Sequence, residues 1–247
     1  MPIADPKTHA LGAQQFATTM WTVVLNARDA SDASSEAALQ TLCRAYWQPL
    51  YFFVRRQGYE PADAEDLTQG FFARLLEKNY LHQVGPEKGR FRSFLLVALR
   101  HFISDERDHA RALKRGGGKT HLTFDVESAE LAYAKEFAVQ STPEKLFERR
   151  WAISVLAQAQ ARLQNECESS GKLVLYRELG PEAAMDSREG YAAVAKRLGL
   201  SESAVKSAAF RLRRRYQELI RDEIAQTIAA PEEVEAEIRH LLRVLSE

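Results

Sequence analysis

Residues 191–215, YAAVAKRLGLSESAVKSAAFRLRRR, restrict the fold more than any other stretch of the chain. Val194, Ala195, Leu198, Leu200, Val205, Ala209 and Leu212 recur at helical spacing, which predicts two short helices sharing a buried seam. Gly199 sits where the chain must turn sharply, a place that favours a residue able to take positive φ. Ser201 offers a side-chain oxygen to cap the next helix, and Glu202 puts a negative charge in its first turn. Small Ala195 at the turn lets the two helices approach closely. The pattern is that of a helix-turn-helix, whose second helix is expected to enter the major groove of duplex DNA.

Charge supports that expectation. Between residues 196 and 221, Lys196, Arg197, Lys206, Arg211, Arg213, Arg214, Arg215 and Arg221 are opposed only by Glu202 and Glu218. A face needed only for solubility interleaves its signs, whereas clustered cations on one element suit phosphate contact. The rival reading of this segment is an ordinary helical hairpin with a solvated basic end.

The formal net charge of the 247 residues is zero, so a general nucleic-acid coating protein is not expected. A site-specific binder remains open, because the balancing acids are segregated: from Asp222 onward Asp222, Glu223, Glu232, Glu233, Glu235, Glu237 and Glu247 outnumber Arg239 and Arg243. Cys43 and Cys167 are too few and too isolated for a disulfide framework or a cysteine zinc site. No apolar run approaches the roughly 18 residues of a membrane span, and MPIADPKTHA lacks the apolar core of a signal peptide. A cytoplasmic location without membrane attachment is the expectation.

The fold class expected is all-α: two small helical domains joined by a flexible linker, the second carrying the helix-turn-helix. Period-two alternation is weak everywhere, and HLTFDV at 121–126 reads as extended linker. A helix is expected over 16–27 within an N-terminal extension of residues 1–34. The first domain, 35–115, holds a helix over 36–57 that Pro49 kinks or restarts, one over 61–77 that Pro61 opens, a loop over 79–89 and a long basic, aromatic helix over 90–114. The glycines at 116–118 open a linker reaching 141. The second domain, 142–222, begins at Thr142-Pro143-Glu144, a cap followed by proline at the first helical position. An acidic amphipathic tail, 223–247, closes the chain with Ile238, Leu241, Leu242 and Leu245 as its apolar residues.

A second constellation lies in the first domain. DAEDLTQGFFARLL at 63–76 brings Asp63, Glu65, Asp66 and Gln69 together at three- and four-residue spacings, an acidic and amide face on the side away from Phe71 and Leu75. Carboxylates repel DNA, so this face reads as a protein-docking surface. The next element alternates buried aromatics with Arg90, Arg92, Arg100, His101, Arg107, Arg111, Lys114 and Arg115.

In these segments the chain resembles the extracytoplasmic-function group of bacterial RNA polymerase sigma factors. Residues 63–72 are similar to that group's DAEDLxQxxF pattern, and FRSFLLVALRHFISDER at 91–107 to its FRxWLxxIARNxxxDxxR pattern. YAAVAKRLGLSESAVKSAAFRLR at 191–213 is similar to its YxEIAxxLGxSxxTVKSRxxRAR pattern. The order of the segments agrees, and the likeness spans about residues 35–115 and 143–220. Departures are Phe94 for a usual tryptophan, His101 for an asparagine, Ala193 for a glutamate and Ala208 for a frequent arginine.

The resemblance implies a transcription initiation factor that directs core RNA polymerase to promoters and aids DNA opening. It implies no catalysis and no cofactor. Asp63, Glu65, Asp66, Gln69 and Phe72 would dock on the clamp helices of the polymerase β′ subunit, and the second domain on the β flap. Arg100, His101, Ser104, Asp105, Arg107 and Arg111 would meet the minus-ten element, with 81–89 capturing an unstacked base. Ser203, Lys206, Ser207, Phe210, Arg211, Arg213, Arg214 and Arg215 would meet the minus-thirty-five element, the last three as phosphate contacts. An anti-sigma partner or a Ser/Thr kinase are the regulators implied for such proteins.

Two other classes compete. GGGKT at 116–120 echoes the end of a phosphate-binding loop, but Leu113 stands where its leading glycine belongs. His101 and His109, eight residues apart on a helix, are too distant to share one metal ion. A stand-alone operator-binding regulator would use the helix-turn-helix equally well, yet leaves the acidic face of 63–76 without a purpose.

Overall fold

The computed structural model describes residues 45–76, 90–112, 125–137, 141–181, 190–228 and 231–246, and among these it is all-helical. Helix α1 covers residues 45–56, α2 Pro61–Leu76, α3 Phe91–Ala112, α4 Val126–Phe137 and α5 Pro143–Ser169. Then come α6 Leu173–Leu179, α7 Tyr191–Leu198, α8 Glu202–Ala225, a 3-10 turn at Pro231–Glu233, and α9 Val234–Ser246. The helix expected over 16–27, the loop over 79–89 and the glycines at 116–118 lie outside the described residues.

Helix α1 is apolar on nearly every side. Tyr46, Leu50, Tyr51, Phe52, Phe53 and Val54 are all buried, so the helix must be surrounded by others. It is continuous through Pro49, so of the kink or restart expected there the restart does not occur. The proline forfeits one backbone donor, and dense packing of its neighbours outweighs the loss. Gly58, at φ 94°, ends this segment. Helix α2 lays Ala64, Phe71, Phe72 and Leu75 against the same core. Its buried Thr68 hydroxyl donates to the Ala64 carbonyl at 2.7 Å, so the polar group costs little.

Helix α3 buries Phe91, Leu95, Ala98, Leu99, Phe102 and Ile103 along one stripe and turns Arg100, His101, Ser104, Asp105 and Arg107 outward. Edge-on aromatic pairs bind these helices together: Tyr46 to Phe91 at 5.5 Å and Phe71 to Phe102 at 5.9 Å.

Helix α4 corrects the expectation of a linker over 116–141, since Val126–Phe137 within it is helical. The Asp125 carboxylate accepts from the Ser128 amide at 3.1 Å, a side-chain cap that starts a helix at Val126. Ala129 and Tyr133 then enter the main core, Tyr133 lying edge-on to Phe52 at 5.3 Å. Glu130 fastens the helix to α1, accepting from Arg55 Nε at 2.7 Å, Arg55 Nη2 at 3.0 Å and the Tyr51 hydroxyl at 2.6 Å.

Helix α5 is the spine. Thr142 caps it by accepting from the Lys145 amide, as the Thr-Pro-Glu signal predicts. Its 27 residues extend about 40 Å at 1.5 Å per residue. The first half, Leu146, Phe147, Trp151, Ala152 and Val155, belongs to the core of α1–α4. The second half, Ala159, Leu163 and Cys167, packs against Tyr176 of α6 and Leu219 of α8. Ile224 of α8 and Leu241 of α9 return to the main core. One apolar core therefore runs from the first described helix to the last, with the helix-turn-helix carrying a smaller core of its own.

The acidic tail is built into this arrangement. Helix α8 continues to Ala225, beyond residue 222, and α9 folds back onto α5. Leu241 faces inward as expected, while Leu242 faces solvent. Glu237 is completely buried and paired with Arg92, itself only 2% exposed, and with Arg90 at 3.0 Å. Arg92 also donates to Glu148 at 2.7 Å and lies 4.4 Å from the Trp151 ring. His240 meets the same Glu148 carboxylate at 2.9 Å. Arg92 thus corrects the sequence reading that put it on a basic face: it points into the molecule.

Candidate nucleic-acid interface

Helices α7 and α8 form the helix-turn-helix with the expected turn chemistry. Gly199 takes φ 65° and ψ 29°, and its amide closes the helix on the Ala195 carbonyl, which also accepts from the Leu200 amide at 3.0 Å. Ser201 then caps α8, accepting from the Ala204 amide at 3.2 Å. Val194, Ala195, Val205, Ala208 and Ala209 form the seam with Leu179 of α6, and Leu198 and Leu212 pack at its edge. Leu200 does not join it, being 44% exposed on the turn. Ala208 does join it. Its small side chain allows the helices to close.

Ser203, Lys206, Ser207, Phe210, Arg211, Arg213 and Arg214 are all exposed on the outer side of α8. Lys206 pairs with Glu202 at 2.7 Å and Arg214 with Glu218 at 3.2 Å, both between exposed groups one helical turn apart. Pairs of this kind hold weakly and are readily exchanged for another anion. Arg213 donates to the Tyr191 hydroxyl at 2.8 Å, which steadies the start of α7. Arg215 stands apart. It makes a two-pronged contact with Glu166 of α5 at 2.8 and 2.7 Å and a further bond to Glu218, so it anchors α8 to the spine. Those hydrogen bonds hold the Glu166 carboxyl below its ordinary value.

A second outward face belongs to α3. Arg100, His101, Ser104, Asp105 and Arg107 are exposed, and Arg111 lies on the same helix. Arg100, Ser104 and Arg107 border a groove of about 490 Å³ with Phe53, Gln57 and Glu144. Glu144, in the first turn of α5, pairs with Arg100 across that groove. Burial pushes the Glu144 carboxyl up, but the helix-end amide, Arg100 and Thr142 together take it below its ordinary value. Asp105 meets Arg74 of α2 at 3.5 Å. The Arg100–Glu144 pair joins residues 44 positions apart, and sequence spacing held no sign of it.

On α2 the four polar residues separate. Asp63 and Asp66 are exposed and Glu65 is half-buried. Gln69 is buried and donates to Glu65 at 2.9 Å, so it braces the helix. Phe72 is wholly buried and packs with Phe71, which makes it a core residue whose side chain is closed to a partner.

Among the described residues, no group of three or more His, Cys, Asp and Glu could hold a metal ion, and no helix is long and apolar enough to cross a membrane. No family model matches the chain, and neither a curated protein nor a solved structure matches it.

Proposed function

We propose that this chain is a promoter-binding subunit of RNA polymerase similar to extracytoplasmic-function sigma factors, with α8 as its duplex-reading helix. The observation that carries the reading is the capped helix pair with its αL glycine, which leaves a row of hydroxyl, amine, aromatic and guanidinium groups exposed on α8 and none of its core. Such a helix suits the major groove, where short polar and apolar groups meet base edges and flanking arginines meet phosphates.

Two further features support polymerase dependence over a free-standing operator binder. Asp63 and Asp66 project from α2 as an anionic patch suited to a basic protein surface. The α3 face sets Arg100, Arg107 and the Ser104 hydroxyl along a groove, groups suited to the backbone of a single strand. Docking would then involve Asp63, Asp66 and half-buried Glu65, with Gln69 and Phe72 holding the helix in shape.

The test is reconstitution. The full chain is mixed with core polymerase, co-purified, and assayed by run-off transcription from fragmented genomic DNA. Discrete start sites that require the chain are expected. Asp66→Arg is expected to abolish co-purification at an unchanged melting temperature, because Asp66 is exposed. Undiminished co-purification of that variant would remove the docking assignment.

A further inference from the structure

The outer face of α8 carries one group that phosphate contact does not explain. Phe210 is 66% exposed, the most exposed large apolar side chain among the described residues. An aromatic ring left largely in water forgoes the gain of burial, so its place on a cationic surface asks for a reason.

Its register supplies one. Ser203, Ser207, Phe210 and Arg214 recur at successive turns of α8, opposite the buried stripe of Val205, Ala208, Ala209 and Leu212. Phe210 therefore crowns the ridge that would enter a groove first. The two residues one and two turns before it are serines, small enough to let the helix sit deep. Lys206 flanks the ridge on one side and Arg211 on the other. Phe210 is eight residues beyond Glu202, about 12 Å along the axis at 1.5 Å per residue. The major groove is about 12 Å wide, so Phe210 still lies within it, while Arg213 and Arg214 emerge at its wall.

An apolar group inside the major groove has one chemically distinct partner, the C5-methyl group of thymine. We infer that Phe210 is a specificity-determining residue that packs on a thymine methyl and makes one T·A pair a fixed feature of the duplex that α8 reads. The inference rests on the DNA-binding reading above and sharpens it. It selects a base by an apolar contact, while the flanking arginines Arg213 and Arg214 meet phosphates. The cations around Phe210 disfavour the competing occupant, an apolar protein surface, because an apolar partner would strip Lys206, Arg211 and Arg214 of water and return no new anion to them.

The experiment uses the full chain, alone and with core polymerase, to enrich binding duplexes from a randomised library. Each thymine of the enriched motif is then replaced singly by uracil, which deletes only the methyl group. At one position uracil is expected to weaken binding roughly three- to fivefold, the size of one buried methyl group. In Phe210→Ala, whose fold is checked by its melting temperature, uracil at that position is expected to have no further effect. A motif indifferent to every uracil overturns the inference and leaves DNA binding intact, as does an equal loss in both proteins. A library yielding no motif, with or without polymerase, overturns the DNA reading and the inference with it.

Discussion

Gly199 shows how much a single residue decides here. At φ 65° a side chain would crowd its own backbone, whereas nothing else lies within 4 Å of where a Cβ would stand. The cost of replacement is thus purely conformational. Gly199→Ala is expected to lose about 1 kcal/mol and Gly199→Asn less, since asparagine tolerates the left-handed region. Denaturant midpoints at constant slope would measure both, and equal stability of all three proteins would contradict the turn geometry. The same scale shows where sequence spacing misleads. Leu200 follows the apolar periodicity yet is exposed, because the turn that Gly199 makes carries it off the helix axis. Arg92 follows the basic pattern yet is buried, because a carboxylate 145 positions later reaches it.

At the scale of elements, α4 depends on one carboxylate. Burial pushes Glu130 up, but hydrogen bonds from Arg55 and Tyr51 outweigh it and hold the group below its ordinary value of 4.5. A carboxyl depressed in the folded state contributes stability that is complete above its unfolded value and lost as pH falls through the folded one. Glu130→Gln is therefore expected to destabilise the protein at neutral pH, with the gap to the wild type closing as pH falls from about 4.5 through the lowered value of the folded carboxyl. Urea titrations between pH 7 and pH 3 would show it; a gap independent of pH would mean that Glu130 acts by packing alone. Element existence was largely legible in the sequence. Thr142-Pro143, Pro61 and Ser201 each mark a start that the structure keeps. Helix α4 escaped notice because its apolar side is Val126, Ala129, Ala132 and Tyr133, two of them alanines, too slight a stripe to stand out from a linker.

The whole molecule turns on α5 and on the buried charges beneath α9. Arg92 and Glu237 are out of water together, with Glu148 as a second partner of Arg92 and Arg90 as a second partner of Glu237. Glu237→Ala leaves buried Arg92 with Glu148 but without its fully buried partner and is expected to cost about 3 kcal/mol. In an Arg92→Met background the same change is expected to cost far less. Stopping the chain after Ile228 would remove Leu241 together with Glu237, so it is expected to lower the melting temperature of the first helices as well as the last. Loss of α9 that left hydrogen exchange in α1 and α3 unchanged would show that the tail is merely appended. The acidic tail is accordingly an element of the core, and any effect of truncation on promoter use must be separated from its effect on folding.

Helical class, most helix starts, the turn at Gly199, the cap at Ser201 and the basic outer row of α8 were determined by the sequence alone. Each rests on groups within about one helical turn of one another, where backbone geometry leaves few choices. The tertiary structure alone decided that Gln69 and Phe72 serve the core, that Arg215 anchors α8 on Glu166, and that Arg100 is matched by Glu144. It alone decided that one core spans both halves of the chain and that Glu237 lies beneath its surface. The reason is physical. Burial of a charged or aromatic group depends on the sum of its neighbours, and here those neighbours come from helices tens of residues apart.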